Sequence, residues 1–188
     1  RLLHALARYR REYPHVRLCL TNRSAAQGIA AVQDGLVDLA VAAEGAAVPD
    51  TLSAQKIGEI REIPICGPAF AELAEKPVSL RRLAEYPIIS LIEGTSSHDF
   101  YADLFLQNDL TFSPDVEVET TAQVLPVVQS DLGIGFVPRE MLYGTSEQTG
   151  IYPLTLETPI PPRSLYLFQR KAQPLSVAAR QLRQLLLE

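Results

Sequence analysis

Apolar and polar positions along this chain follow two periods in turn, one typical of helices and the other of strands. In segment 2–12 the apolar residues recur at helical spacing, which predicts a helix that ends before Pro14. The apolar run that follows predicts a strand at 16–21. Ser24 and Gln27 then fit the capping box of a second helix. Because strands and helices keep alternating, the fold class is predicted to be α/β.

The same two periods predict the remaining elements. Further strands are expected at 39–43, 52–66 (as one or two segments), 88–92, 116–119, 134–137, 151–156 and 164–169. Further helices are expected at 80–85, 99–108 and 121–130, and after the capping residue Ser176. Pro126 lies inside one of these helices and predicts a kink or a delayed start there. The short apolar strand at 39–43 is typical of a buried parallel sheet, so the sheets are predicted to be mainly parallel.

Two breaks divide this succession of elements into parts. Gly67-Pro68 ends the strand region before it, and a loop is predicted at 143–150. The strands are too numerous for one small sheet, so we expect two lobes. Lobe I is built from residues 1–66 plus 148–188, and lobe II from residues 67–147. A chain that leaves a lobe and returns must cross twice, and the two crossovers would act as a hinge.

Predicted strands run into small hydroxyl residues where a helix should begin. Such residues follow the strands at 16–21, 88–92 and 116–119: Ser24, Thr95, Ser96, Thr120 and Thr121. Helix N-termini carry unsatisfied N–H groups and a partial positive charge, and parallel strands gather them at one sheet edge. The pattern predicts a small, anion-binding cleft. In it, the four hydroxyl residues at 95, 96, 120 and 121 face Ser24 and Gln27. The alternative interpretation is that each hydroxyl is only an ordinary helix cap.

Composition excludes several classes of protein. The chain has 188 residues, 47% of them hydrophobic and 21% charged, which is enough to bury a core. Its net charge of -5 argues against this segment gripping nucleic acid on its own. No apolar run is long enough to span a bilayer. Cys19 and Cys66 lie in apolar strand patterns and are interpreted as small buried hydrophobic residues.

Catalytic and metal-binding signatures are not found in the sequence. Ser97-His98-Asp99 contains the residue types of a catalytic triad, but neighbouring side chains point apart and cannot form one. Gly133 and Gly135 are too few glycines for a dinucleotide site. The arginines of segment 2–12 are interpreted as a solvated helix face. We therefore expect a protein that is not an enzyme and has no cofactor and no bound metal.

Four short segments together carry a family resemblance. They read YPHVRL at 13–18, QDGLVDLAV at 33–41, LAEYPII at 83–89 and LGIGFVP at 132–138. In this order and spacing the chain resembles, over nearly its whole length, the effector-binding domain of LysR-type transcriptional regulators. The departures are Pro126 and the segment after Gly67-Pro68, which lacks the family's common His-Pro pair.

The resemblance implies a fold, partners and a set of contact residues. It implies two Rossmann-like lobes joined by two crossovers, as in type II periplasmic-binding proteins, with a small effector held between them. It also implies a bacterial, cytoplasmic protein that forms a homodimer or homotetramer and does not bind a membrane. In such regulators DNA is bound only through a winged helix-turn-helix that precedes this domain. The effector contacts it implies are Ser24, Gln27, Gln55, Gly67, Thr95, Ser96, Thr120, Thr121 and Phe136.

The sequence leaves the ligand class and two rival functions open. Arg23 is the only basic residue near these contacts, which favours a small carboxylate or a neutral polar metabolite over a multiply charged phosphate. A solute-binding protein of a transporter would share the two-lobe plan. A small enzyme on the same fold would need a catalytic set, and none is visible.

Overall fold

The computed structural model describes residues 2–142 and 150–188. Its helices are α1 (Leu2–Glu12), α2 (Ala25–Gln33), α3 (Leu80–Leu83), α4 (Ser96–Leu106), α5 (Thr121–Gln129) and α6 (Val177–Leu187). Its strands are β1 (Ala40–Ala43), β2 (Leu52–Ile60), β3 (Glu62–Cys66), β4 (Ile88–Leu91), β5 (Val116–Val118), β6 (Ile134–Pro138), β7 (Tyr152–Pro153) and β8 (Arg163–Arg170). Two short 3-10 helices span Pro68–Ala74 and Arg139–Leu142.

The chain divides into two compact units. Unit 1 comprises Arg1–Gly58 and Ser164–Glu188, and unit 2 comprises Glu59–Arg163. The first division therefore falls before the predicted 66/67 boundary, because β3 pairs with β6 and β7 and so belongs to the sheet of unit 2. The other predicted boundary, at 147/148, lies outside the described residues.

Unit 1 is built on a three-stranded sheet in the order β1-β8-β2. Its β1 strand is antiparallel to β8, with Ala40 opposite Phe168. Phe168 packs with Ile29 of α2, and its neighbour Leu167 packs with Leu186 of α6. Because adjacent strand residues point to opposite faces, α2 and α6 cover the two faces of this sheet. The prediction of a parallel strand at 39–43 was wrong, because β1 pairs with β8, which runs antiparallel to it.

The segment predicted as the first strand forms no ladder with any strand of the described residues. Leu20 in this segment is 65% exposed, and Cys19 is exposed as well, so both the strand and the burial of Cys19 were wrong predictions. An alternating apolar run becomes a strand only where a sheet edge accepts its N–H and C=O groups. The burial of Cys66 is confirmed, and it raises the pKa of that thiol to about 11.

Unit 2 contains a five-stranded sheet in the order β5-β4-β6-β3-β7. Its β4 strand is parallel to both β5 and β6, whereas β3 is antiparallel to β6 and β7. Thus only part of the sheet is parallel. On one face Tyr101 and Phe105 of α4 pack with Phe136 of β6. On the other face Val124 and Val128 of α5 form a separate buried cluster with residues of β4 and β6.

The parallel pairing in unit 2 gathers several chain ends at one edge of the sheet. The carboxyl ends of β4, β5 and β6 lie at this edge, which we call the carboxyl edge. Helices α4 and α5 begin there, directly after β4 and β5. Because β3 is antiparallel and pairs Glu62 with Pro138, the start of β3 lies at the same edge.

Pro126 does not delay the start of α5. The helix begins at Thr121, as predicted, and includes Pro126 within its bounds. The C=O of Pro126 accepts a hydrogen bond from the Ser130 hydroxyl at 2.9 Å, which helps to close the end of the helix. The position of Thr120 at the helix start therefore holds.

We predict that Gly135→Ala destabilises the fold while Gly28→Ala does not. A Cβ at Gly135 would lie 2.4 Å from Val124 Cγ1 and 2.9 Å from Val128 Cγ2, so α5 would have to shift. Overpacking of this kind costs about 1–3 kcal/mol of unfolding free energy.

The matched control is a glycine inside α2. A Cβ at Gly28 would have Ala40 Cβ as its nearest neighbour at 3.8 Å, and alanine in a helix interior is favoured over glycine by about 0.5–1 kcal/mol. Urea unfolding of both variants measures the difference. Equal stability of the two variants would contradict the close packing of β6 against α5.

Candidate functional site

The start of α4 places hydroxyl groups at the carboxyl edge. Thr95 is the N-cap residue, and its hydroxyl oxygen accepts a hydrogen bond from the His98 N–H at 3.2 Å. The same hydroxyl donates to the C=O of Ile92 at 2.9 Å. Thr95 and Ser96 are both half-buried. A hydroxyl oxygen has two acceptor positions, so the cap leaves one of them for a further donor.

The start of α5 lies beside the start of α4. Ile92, which follows β4, donates its N–H to the C=O of Val118 in β5 at 3.0 Å. Gln123 Oε1 accepts the Thr120 N–H at 2.9 Å and the Thr120 hydroxyl at 3.2 Å. The side chain of Gln123 therefore folds back over the helix start. The hydroxyl residues of unit 2 that the sequence predicted therefore all stand at the carboxyl edge, after two neighbouring strands: Thr95, Ser96, Thr120 and Thr121.

A buried ion pair also lies at the carboxyl edge, and sequence reasoning missed it. Arg163 is 1% exposed and Glu62 is 6% exposed, and Arg163 Nη1 lies 3.5 Å from Glu62 Oε2. Arg163 also donates to the Ser97 hydroxyl at 3.0 Å and to the Ser96 C=O at 3.2 Å. The guanidinium carbon stands 4.7 Å from the ring centre of Phe100, a cation–π distance.

The charges of the ion pair act on neighbouring side chains of this edge. Burial raises the pKa of Tyr101 well above its usual range, and the carboxylate of Glu62 adds to that rise while Arg163 opposes it. Tyr101 therefore stays neutral at ordinary pH. The Ser97 hydroxyl accepts a hydrogen bond from Arg163, and His98 Nδ1 lies 3.6 Å from Asp99 Oδ1. This arrangement differs from a nucleophile held by a general base. Within 2–142 and 150–188 no cluster of three or more potential metal ligands occurs.

The predicted residues of unit 1 lie on two different elements. Ser24 caps α2, where its hydroxyl accepts the Gln27 N–H at 3.3 Å and Gln27 Oε1 accepts the Ser24 N–H at 3.1 Å. The predicted capping box is therefore confirmed. Gln55 is an exposed residue of β2, and its amide oxygen accepts from Arg183 Nη2 of α6 at 2.7 Å. Each of these polar groups has a structural partner within unit 1.

Two predicted site residues have packing roles away from the hydroxyl groups. Gly67 follows the far end of β3, where a Cβ would lie 2.3 Å from Asp131 Oδ1 and 2.5 Å from the Val128 oxygen. Phe136 is 4% exposed, and its ring stacks on Tyr101 with centroids 4.7 Å apart. The structure does not bring Gly67 to the carboxyl edge, and it buries Phe136 in the core of unit 2.

Unit 1 carries a separate open depression of about 480 Å³. It lies between the end of α1 and the segment after it, and Arg10 donates to the C=O of Val16 there at 3.1 Å. None of the predicted site residues lines it. Among the described residues, no helix has both the length and the apolar character needed to cross a membrane.

Comparison with known proteins points to one family. The family model described as LysR substrate binding domain matches residues 1–188. The HTH-type transcriptional activator IlvY of Haemophilus influenzae is 26% identical over 177 residues, which cover 90% of this chain and 59% of that protein. The chain therefore spans about three-fifths of the length of this curated relative.

Solved structures share the fold of this chain. The effector binding domain of QuiR in complex with shikimate has a TM-score of 0.83 at 14% identity, covering 99% of this chain and 88% of that chain. The regulatory domain of CcmR from Synechocystis PCC6803, in complex with 2-PG, has a TM-score of 0.82 at 15% identity, covering 99% and 89%. The cofactor-binding domain of the Cbl transcriptional regulator has a TM-score of 0.81 at 19% identity, covering 98% and 80%. The predicted fold class, α/β of the type II periplasmic-binding-protein kind, is confirmed.

We predict that Ser24→Ala lowers the free energy of unfolding by about 1 kcal/mol, because α2 loses an N-cap acceptor. Ser24→Asp is the control, since its carboxylate oxygen can still accept from the first turn and should retain most of that stability. Chemical denaturation followed by circular dichroism measures both variants. An equal loss in the two would mean that Ser24 stabilises the fold by a contact other than the cap.

Proposed function

The chain belongs to the family of LysR substrate binding domains, and from that membership we propose that it is the effector-sensing part of a transcriptional regulator. The match of the family model to the whole of residues 1–188 carries this proposal. The similar structures of QuiR and CcmR hold the small molecules shikimate and 2-PG, which supports a small molecule as the effector of this chain too. This chain covers 59% of the relative IlvY, and we propose that control of transcription and binding to DNA involve the remaining part of a protein of that length.

We propose that the effector contacts the helix starts at the carboxyl edge of unit 2. Two helix N-termini point their unsatisfied N–H groups and partial positive charges there. Thr95, Ser96, Thr120 and Thr121 supply hydroxyl groups, and the charge of Arg163 lies behind the first turn of α4. A small carboxylate or a neutral polar metabolite matches these donors. Contacts of the effector with Ser24, Gln27 and Gln55 stay predictions from the resemblance.

The proposed mechanism is a shift between populations of two conformations. An effector changes an equilibrium only by its difference in affinity for the two states. To move a population from 1:99 to 99:1, one state must be bound about 10⁴-fold more tightly. The same limit on the population shift applies to any rearrangement by which the effector would reposition a DNA-binding domain.

A sensing role is favoured over the two rivals. The family is one of transcriptional regulators, and the relative IlvY is a transcriptional activator, so the comparisons give no support to a transporter protein. We propose that the chain is not an enzyme, because the Ser97 hydroxyl at the candidate site is held by Arg163. A regulator of transcription acts where its DNA is, so we propose a cytoplasmic location.

We predict that a small carboxylate or neutral polar metabolite raises the melting temperature of this chain. At a concentration of about 100 times its Kd, a ligand that binds only the folded state adds about 2.7 kcal/mol of stability. A thermal-shift screen of such metabolites identifies the ligand. Calorimetric titration then measures how tightly the ligand binds the parent and Thr95→Ala, and its affinity for Thr95→Ala should be lower.

The matched control for that titration is Ser79→Ala. Ser79 caps α3 in the same unit, with its hydroxyl accepting the Arg82 N–H at 3.2 Å, so it loses a comparable cap. The control should bind the ligand as the parent does. A screen without any hit would contradict the sensing function, whereas equal affinity of Thr95→Ala and parent would contradict the proposed site alone.

We also propose that the chain forms a homodimer, or a homotetramer in the longer protein, through α2. On this helix the structure leaves the small residues Ala26 and Ala30 exposed, and Leu36, just beyond the helix, is 71% exposed. Ala31 of the same helix is buried in unit 1. Small side chains let a second helix approach closely, and their burial would cover apolar surface.

We predict that sedimentation equilibrium shows dimers of the parent chain at high micromolar concentration and monomers of Ala30→Glu. The glutamate would place an unpaired charge in the proposed interface. Ala122→Glu, at an exposed position of the unit 2 helix α5, is the matched control and should remain dimeric. A parent chain that stays strictly monomeric would refute the dimer, and a dimeric Ala30→Glu would place the interface elsewhere.

A further inference from the structure

Arg163 stands where the chain passes from unit 2 to unit 1. It is the last residue of unit 2 and the first residue of β8. Its partner Glu62 is the first residue of β3, soon after the chain has entered unit 2 at Glu59. The buried ion pair therefore joins the two points at which the chain enters and leaves unit 2.

The same guanidinium also holds the first turn of α4. Nη1 donates to the Ser97 hydroxyl at 3.0 Å, and Nη2 donates to the Ser96 C=O at 3.2 Å. The ring of Phe100, one turn further along α4, lies under the guanidinium carbon at 4.7 Å. One side chain thus contacts the helix start on one side and a chain crossing on the other.

An arginine is suited to transmit a displacement between these groups. Its guanidinium is planar, permanently charged and rigid, with donors in a fixed fork, so a movement of one acceptor changes the geometry at the others. At 1% exposure the side chain has no solvent to reorient into. A buried charge that lost Glu62 would be strongly destabilised, which keeps the pair together while the α4 contacts change.

We propose that Arg163 is a positioning residue that couples the first turn of α4 to the two chain crossings of unit 2. This role rests on the proposed function, because it makes the effector contact at α4 the input of the coupling. An effector that draws the first turn of α4 toward itself alters the bonds of Ser96 and Ser97 to Arg163. Arg163 passes that change to its own backbone at the start of β8 and, through Glu62, to the start of β3.

The test is a double-mutant cycle on Ser97→Ala and Glu62→Gln in the ligand-free chain. Ser97→Ala removes the hydroxyl contact of the arginine at α4, and Glu62→Gln removes the charge of its partner while keeping a side chain of the same shape and an oxygen acceptor. Two amides report on the crossings in NMR hydrogen exchange. The Arg139 N–H donates to the C=O of Arg61, next to Glu62, and the Glu44 N–H donates to the C=O of Ser164, next to Arg163.

If Arg163 couples α4 to Glu62, Ser97→Ala accelerates hydrogen exchange at both reporter amides. The factor by which it accelerates exchange should differ about threefold or more between the parent background and the Glu62→Gln background. Arg163→Lys, which keeps the charge but loses the fork, should abolish that difference. Arg170→Lys is the matched control: its Nη1 donates to the C=O of Val32 in unit 1, and the cycle should be unchanged in its background.

Additive effects of the two substitutions, or acceleration confined to α4 itself, would overturn the coupling role. An Arg163→Lys chain that fails to fold leaves the primary cycle decisive, since that cycle uses only Ser97→Ala and Glu62→Gln, both of which leave Arg163 in place. The outcome is also separate from the effector screen. If the screen finds no ligand but the mutant cycle is non-additive, the sensing function is refuted and the coupling stands. If a ligand binds but the mutant cycle is additive, the coupling is refuted and the sensing function stands.

Discussion

The parallel pairing of β4 with β5 and β6 is the constraint on which unit 2 depends. Parallel strands need crossover helices, and each crossover returns a helix N-terminus to the edge where a strand has ended. In this chain α4 and α5 begin at that edge, and their starts carry Thr95, Ser96, Thr120 and Thr121. The N–H groups of the proposed effector site thus follow from strand direction, and the hydroxyl residues would add selectivity to them.

The cost of burying charge decides how this edge is organised. A guanidinium at 1% exposure is tolerated only when its donors meet acceptors and a counter-charge. Glu62 supplies the charge, Ser96 and Ser97 supply oxygens, and Phe100 supplies a π face. Because Glu62 begins β3 while Ser96, Ser97 and Phe100 belong to α4, Arg163 ties the start of β8 to these two elements.

Capping and ligand binding are compatible roles for the same hydroxyl groups. The Thr95 oxygen accepts one N–H of its own helix and donates its proton to Ile92, so its remaining acceptor position and the other N–H groups of the first turn are open to a ligand. Thr120 is held differently, since Gln123 covers its N–H and its hydroxyl. An effector at this edge would therefore meet a preformed helix start at α4 and compete with Gln123 at α5.

The sequence by itself determined the elements whose causes are local. The bounds of α1, the capping box of Ser24 and Gln27, and the cap of α6 by Ser176 all follow from residues within four positions of each other. Helical periodicity and caps act over one turn, so a short window contains the whole interaction. The alternation of helices and strands predicted the α/β class, and the family resemblance added its type II periplasmic-binding-protein kind, which no local rule supplies.

Only the tertiary structure decided what depends on distant partners. The apolar run at 16–21 has the pattern of a strand but no ladder, and the direction of β1 in its sheet is defined by its partner β8, a strand from the other end of the chain. The division of the units follows from β3 joining β6 and β7. Arg163 and Glu62 are 101 positions apart, and nothing near either residue indicates the other. Pairings across such separations are chosen by the global minimum of packing and hydrogen bonding, which a local sequence pattern does not contain.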